Sequence, residues 1–194
     1  MKKYINLAVI LLATFILIAC DQSHEKLIIG RWHSEMEVVI PDSNGQQNIT
    51  RKNINISEYF SNGSSSMNSR VVMKIVDAAA TNKWKEFEYT YETTFSREWK
   101  VDGEELLIKI VDIKSRPLIL KFDGKVIEDK EQANKIWSSI KMPEDVVPKG
   151  QTAKLKIISL DKKKFVWEGD LNGSGKMQTI SSEKTDKVLR DFVD

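Results

Sequence analysis

After residue 26, the apolar residues of this chain fall at every second position in one segment after another, and Gly, Asn, Asp and Pro separate the segments. A period of two belongs to a strand with one buried and one wet face, whereas a helix repeats near 3.6 residues. Leu27 to Ile40 sets the pattern. Ile28, Trp32, Met36, Val38 and Ile40 share one face, and Arg31, His33, Glu35 and Glu37 share the other. The alternation returns over 49–60 through Ile54, Ile56 and Phe60, and over 67–76 through Val71, Met73 and Ile75. In the segment opened by Trp84, Phe87, Tyr89 and Tyr91 lie opposite Glu86, Glu88 and Glu92.

Turn chemistry sits between these runs. Asn62-Gly63 and Asp102-Gly103 are the dipeptides that a tight hairpin favours, because its central residues need positive φ. Asp102-Gly103 joins Arg97–Val101 to Leu106–Val111, and further strands are expected over 153–160, 165–167 and 176–180. The period changes only over residues 128–141, where Ala133, Ile136, Trp137 and Ile140 recur at helical spacing and Pro143 closes the segment. The expected fold is mainly β: about eight antiparallel strands with one inserted helix near residues 128–141. Closure into a barrel removes the exposed edges that such a sheet would otherwise present. Residues 27–181 are expected to form that domain, and residues 182–194 a charged tail in which Val188, Leu189, Phe192 and Val193 could form a short helix or lie loosely.

The N-terminus is of another kind. Met1-Lys2-Lys3 precedes an uncharged apolar run that ends at Ala19, the layout of a secretory signal. The run is roughly 15 residues, short of the ~20 that a membrane-spanning helix needs. Leu17-Ile18-Ala19-Cys20 resembles the lipobox of bacterial lipoproteins at all four positions. Residues 1–19 are therefore expected to be a cleaved signal peptide, Cys20 the lipidated first residue, and residues 20–26 a tether. Cys20 is the only cysteine, so it has no disulfide partner within the chain. Several acyl chains on one residue, palmitate among them, anchor stably. Asp21 and Gln22 resemble the inner-membrane retention signal of enterobacterial lipoproteins, which places the domain at the periplasmic face of the inner membrane rather than at the outer membrane.

Composition argues against several functions. Thirty basic and 28 acidic residues leave a formal net charge of +2, without the basic stripe of a nucleic-acid protein. His24 and His33 are the only histidines, and neither has a partner at metal-ligand spacing. The single thiol is committed to lipid, and Glu104-Glu105 and Glu86/Glu88 read as solvated charge at a turn and on a polar strand face. No enzyme, cofactor or metal is expected. The aromatic residues, spread over nearly every element, either fill a core or line a cavity for one apolar ligand.

Gly30-Arg31-Trp32 resembles the Gly-x-Trp signature of lipocalin-like barrels, in which the tryptophan closes one end. With Tyr59 and Asn62-Gly63, then Arg97-Glu98-Trp99 leading into Leu106-Leu107-Ile108, then a helix and a final hairpin, the order and spacing resemble the ToxS-like group of lipocalin-like periplasmic accessory proteins. That resemblance implies a domain that binds the periplasmic part of a membrane-bound transcription regulator, protects it from proteolysis, and in some cases accepts a bile salt or other amphipathic ligand. The chain departs from the group in carrying a lipobox in place of an uncleaved transmembrane helix. A cavity of this kind would be lined by Ile54, Ile56, Phe87, Tyr89, Tyr91, Trp99 and Ile108. Two other readings compete: a ligand carrier or stress lipoprotein without a dedicated partner, and a fully packed structural or inhibitory lipoprotein.

Overall fold

In the computed structural model, residues 24–41, 47–77, 85–170 and 175–192 are described. The segment expected to be a signal peptide and Cys20, Asp21, Gln22 and Trp84 lie outside them. A helical turn, α1, covers residues 24–28 and overlaps the end of the span 20–26 expected to be a tether. The strands are β1 (Gly30–Pro41), β2 (Gln47–Tyr59), β3 (Ser64–Asp77), β4 (Glu86–Asp102), β5 (Glu105–Phe122), the two-residue β6 (Lys125–Val126), β7 (Thr152–Leu160), β8 (Lys164–Gly169) and β9 (Gln178–Lys184). Between β6 and β7 lie α2 (Lys130–Trp137) and α3 (Pro143–Val146), and a 3₁₀ turn, η1, covers Leu189–Phe192.

Around the wall the order is β1, β2, β3, β4, β5, β7, β8, β9 and back to β1, every pairing antiparallel. This is the expected closed, lipocalin-like barrel of eight strands. The register fixes which side chains point inward, because residues directly opposite across an antiparallel pair share a face. One inward row runs Asn53, Val71, Tyr91, Pro117, and the row beside it runs Arg51, Met73, Tyr89, Leu120.

The barrel is closed firmly at one end only. β1 pairs with β9 through just Trp32↔Lys184 and His33↔Glu183, and β5 pairs with β7 only over Glu105–Lys109. Both contacts lie near the same rim, where Ile28, Trp32, Tyr59, Trp99, Leu106 and Phe165 build the buried core. Each such side chain taken fully out of water contributes roughly 1.5–3 kcal/mol. Beyond this floor, β1 to β5 continue as a curved five-stranded wall. α2 and α3 fold against that wall at its far end. Trp137 stands edge-on to Tyr89 at 6.1 Å between ring centroids, and Glu144 accepts from the Ser115 amide at 3.1 Å and from its hydroxyl.

Gly30 shows why the Gly-Arg-Trp sequence suits this floor. Its φ is +115°, and a Cβ there would lie 2.9 Å from Lys184 Cε and 3.0 Å from its Nζ. That ammonium donates to the Leu27 carbonyl at 3.2 Å and to that of Ile29, and it sits 4.5 Å from the centre of the Trp32 ring. Gly30→Ala is expected to cost ~1–3 kcal/mol, the scale of a residue forced into a disfavoured backbone region, read as a lower urea midpoint with an unchanged slope.

Several local expectations change. Residues 86–102 form one strand, not two, and β5 continues past Val111 to Phe122. That second half was hidden by Ser115-Arg116-Pro117, which breaks the alternation; a register shift between Thr90 and Tyr91 brings Tyr91 opposite Pro117. Proline has no N–H to give to a ladder and is tolerated at such irregularities. At the first hairpin only Gly63 has positive φ. Among the described residues, the pair with both central residues at positive φ is Asp123-Gly124, which joins β5 to β6 and whose Asp123 carboxylate accepts from the Lys85 and Glu86 amides at 2.9 Å. The expected helix over 128–141 ends at Trp137, and Pro143 starts a second helix instead of closing the first. A proline at a first helical position gives up an N–H that would have no helical partner there.

Candidate functional site

The seven residues expected to line one cavity occupy three places. Trp99 and Ile108 lie in the packed floor. The Trp99 indole N–H donates to the Ser64 carbonyl at 2.8 Å and to that of Phe60 at 3.1 Å, so this ring ties down the β2–β3 hairpin and its donor is already in use. Phe87, Tyr89 and Tyr91 point inward at the far end, where Phe87 meets Phe122 at 4.9 Å and Tyr89 stacks on Tyr91 at 6.2 Å. Burial pushes both tyrosine hydroxyls above their ordinary pKa, with Tyr91 adding to the shift of Tyr89 and Glu144 to that of Tyr91.

Ile54 and Ile56 point the other way, which corrects the expected lining. They stand opposite Glu35 and His33 on β1 and opposite Arg70 and Asn68 on β3, which puts them on the outer face. They are nonetheless buried, because the C-terminal segment packs there. η1 lies against β2 and β3, and the His33 ring stacks on Phe192 at 3.9 Å and 12°. Arg31 ties the approach to η1 down by donating to the Asp186 and Lys187 carbonyls at 2.8 and 3.3 Å. The residues after 181 are thus part of the fold: β9 runs to Lys184, and the segment beyond it covers an apolar stripe on the outside. The apolar residues of that segment were the signal for it in the sequence.

The inward face of β2 carries Arg51, Asn53, Asn55 and Ser57, and it faces Ser34 on one side and Ser69 on the other. Ser65, Thr93, Arg97 and Ser115 extend this polar belt through β3, β4 and β5. Sequence reading missed it because the apolar face of a strand is ordinarily the inward one. Among the members, Thr93 and Ser115 share a hydrogen bond of 3.0 Å, and the Arg51 Nε donates to Asn53 at 3.0 Å. Above and around the belt, the inward-pointing Met36, Met67, Met73, Tyr89 and Phe95 are only half-buried. Water therefore reaches this part of the inner wall.

Arg97 is the exceptional residue. It is 7 % exposed, and among the described residues it makes no ion pair. Its guanidinium donates to the Ser66 carbonyl at 3.2 Å, meets the Met67 sulfur at 3.6 Å and lies 5.6 Å from the centre of the Tyr59 ring, while its Nε has no hydrogen-bond partner among the described residues. Burial lowers the Arg97 pKa, opposed by Tyr59, and burial raises the Tyr59 hydroxyl, opposed by Arg97.

A second feature lies in the wall. Beyond His33, β1 and β9 part, leaving a cleft of about 310 Å³ lined by His33, Ser34, Glu35, Ser181 and Glu183. The Arg31 carbonyl accepts from the Thr185 amide at 3.0 Å, so odd-numbered residues of β1 direct their main-chain groups to this side. Those of Glu35, Glu37 and Val39 meet no strand there among the described residues. The corresponding edge of β5 is covered: Ile110 exchanges hydrogen bonds with Gly150 and Gln151, Ser115 with Glu144, and Lys121 and Phe122 pair with β6.

Among the described residues no cluster of three His, Cys, Asp or Glu side chains could hold a metal ion, and no helix is long and apolar enough to cross a membrane. No family model matches the chain, and no curated protein matches it significantly.

Proposed function

We propose that this chain is a non-enzymatic, lipid-anchored accessory or sensory protein of the ToxS-like kind. It is anchored through Cys20 at the periplasmic face of the inner membrane. There it binds the periplasmic part of a membrane-bound regulator and takes a small amphipathic ligand, such as a bile salt, into the barrel. The observation that carries the partner half is the edge of β1 from Glu35 to Val39, which no strand among the described residues covers. A strand edge with open main-chain donors and acceptors is a template for another chain, and the matching edge across the opening is already covered from within. The ligand half rests on the half-buried inner wall.

A photo-crosslinking residue at Val39, which is 62 % exposed, tests the first half in native membranes. Linkage to a membrane-bound regulator supports it, and linkage to lipid alone sinks it. Titration of a bile salt against intrinsic tryptophan fluorescence tests the second, and no change up to the micelle range counts against it. The half-buried inner wall also favours the carrier reading, which is the outcome if ligand binds and no protein is linked.

A further inference from the structure

Arg97 and Ser65 stand directly opposite each other across β3 and β4, on the inward face. Among the described residues, each has a buried polar atom without a partner, Nε on Arg97 and Oγ on Ser65. A charged group out of water is costly unless something of opposite charge or matching hydrogen-bonding character meets it, and an unpartnered buried hydroxyl calls for an explanation. Here both lie side by side. The next inward pair toward the open end is Met67 and Phe95, both half-buried, and beyond it come Ser69 and Thr93, then Val71 and Tyr91. A cation and a hydroxyl thus sit at the floor of a mixed apolar wall that water reaches from above.

We infer that Arg97 and Ser65 recognise the acidic head group of an amphipathic ligand, whose apolar part runs along Met67, Phe95 and Tyr91 toward the open end. The inference rests on the ligand half of the proposed function and names its chemical class: a carboxylate or sulfonate attached to an apolar body. A planar guanidinium with a free N–H beside a hydroxyl can give a carboxylate two donors at once, which a neutral head group cannot use equally. The guanidinium also lies 5.6 Å from the centre of the Tyr59 ring.

The test uses the full-length protein in phosphatidylcholine nanodiscs, with empty discs as reference. Decanoate and decanol are titrated against tryptophan fluorescence, and the Arg97 Nε–Hε resonance is followed by NMR. Decanoate is expected to bind about tenfold or more tightly than decanol, the range of a hydrogen bond to a charged group, and to move the Arg97 resonance where decanol does not. In Arg97→Met the preference is expected to vanish while decanol binding stays, and Ser65→Ala is expected to reduce it partly. If Arg97→Met does not fold, the wild-type resonance and Ser65→Ala carry the result. Equal binding of acid and alcohol, an unmoved Arg97 resonance, or a preference that survives in Arg97→Met overturns the head-group site and leaves the amphipathic ligand standing. Binding of neither probe overturns the ligand reading itself, and this site with it.

Discussion

Replacing Trp32 by alanine is expected to lower the unfolding free energy by ~3–5 kcal/mol, the upper range for truncating a buried aromatic side chain. The ring is 1 % exposed. It packs edge-on against Phe165 at 5.7 Å, donates its indole N–H to the Ile28 carbonyl at 2.6 Å and carries the Lys184 ammonium on its face. It therefore joins α1, β1, β8 and β9 in one cluster. The position matters as much as the area, because Trp32 is one of only two β1 residues paired with β9. Removing it leaves a cavity at the seam and an ammonium without its ring. Trp32→Phe keeps the ring contact and loses the indole hydrogen bond, so it should cost much less. Chemical denaturation of both variants checks this. A loss below ~1 kcal/mol for the alanine variant, no more than an average substitution costs, would show that the floor closes without it.

Cys20→Ser is expected to abolish acylation altogether, since the motif requires a thiol to accept the lipid and this chain has no other. The precursor should then accumulate with residues 1–19 attached, visible as slower migration on a gel, and incorporation of an alkyne-tagged palmitate should fall to background. Unchanged labelling would sink the lipoprotein assignment. Asp21→Ser, made in the otherwise unaltered chain, is expected to shift the acylated protein toward the outer-membrane fraction of a density gradient if Asp21 acts as the retention signal.

The amount of this fold legible in the sequence depended on how local each determinant is. Alternation along one strand is local, and it located β1, β2, β3, β7 and the two ends of β4 without knowledge of their neighbours. Gly103, which has φ +62°, was legible for the same reason, as a turn needs only its own residues. Which face of a strand looks inward is not local. On β2 the apolar side, Ile54 and Ile56, turns outward because the distant C-terminal segment arrives to cover it, while Asn53 and Arg51 take the inside. Alternation alone cannot report that exchange. The candidate site suffered most from this, since the polar belt around Arg97 consists of Ser, Thr and Asn residues that a strand pattern assigns to solvent. The far half of β5 was lost through Pro117, whose usual meaning is a strand end.

The order of the strands around the wall has a consequence for how the barrel assembles. From β1 to β5, and from β7 to β9, each strand pairs with one close to it in the chain, and contacts of short sequence separation form quickly. The β5–β7 pairing spans more of the chain, and the β1–β9 seam spans the most. The β1–β9 seam joins Trp32 to Lys184, so it must close the longest loop in the molecule for only two pairs of residues. It should therefore be the last element to form and the first to exchange its amide protons under native conditions, with Thr185 and His33 losing protection before the centre of the β3–β4 pair. A barrel built this way breathes at one line along its side. That line runs directly into the edge of β1 where a second chain would have to enter.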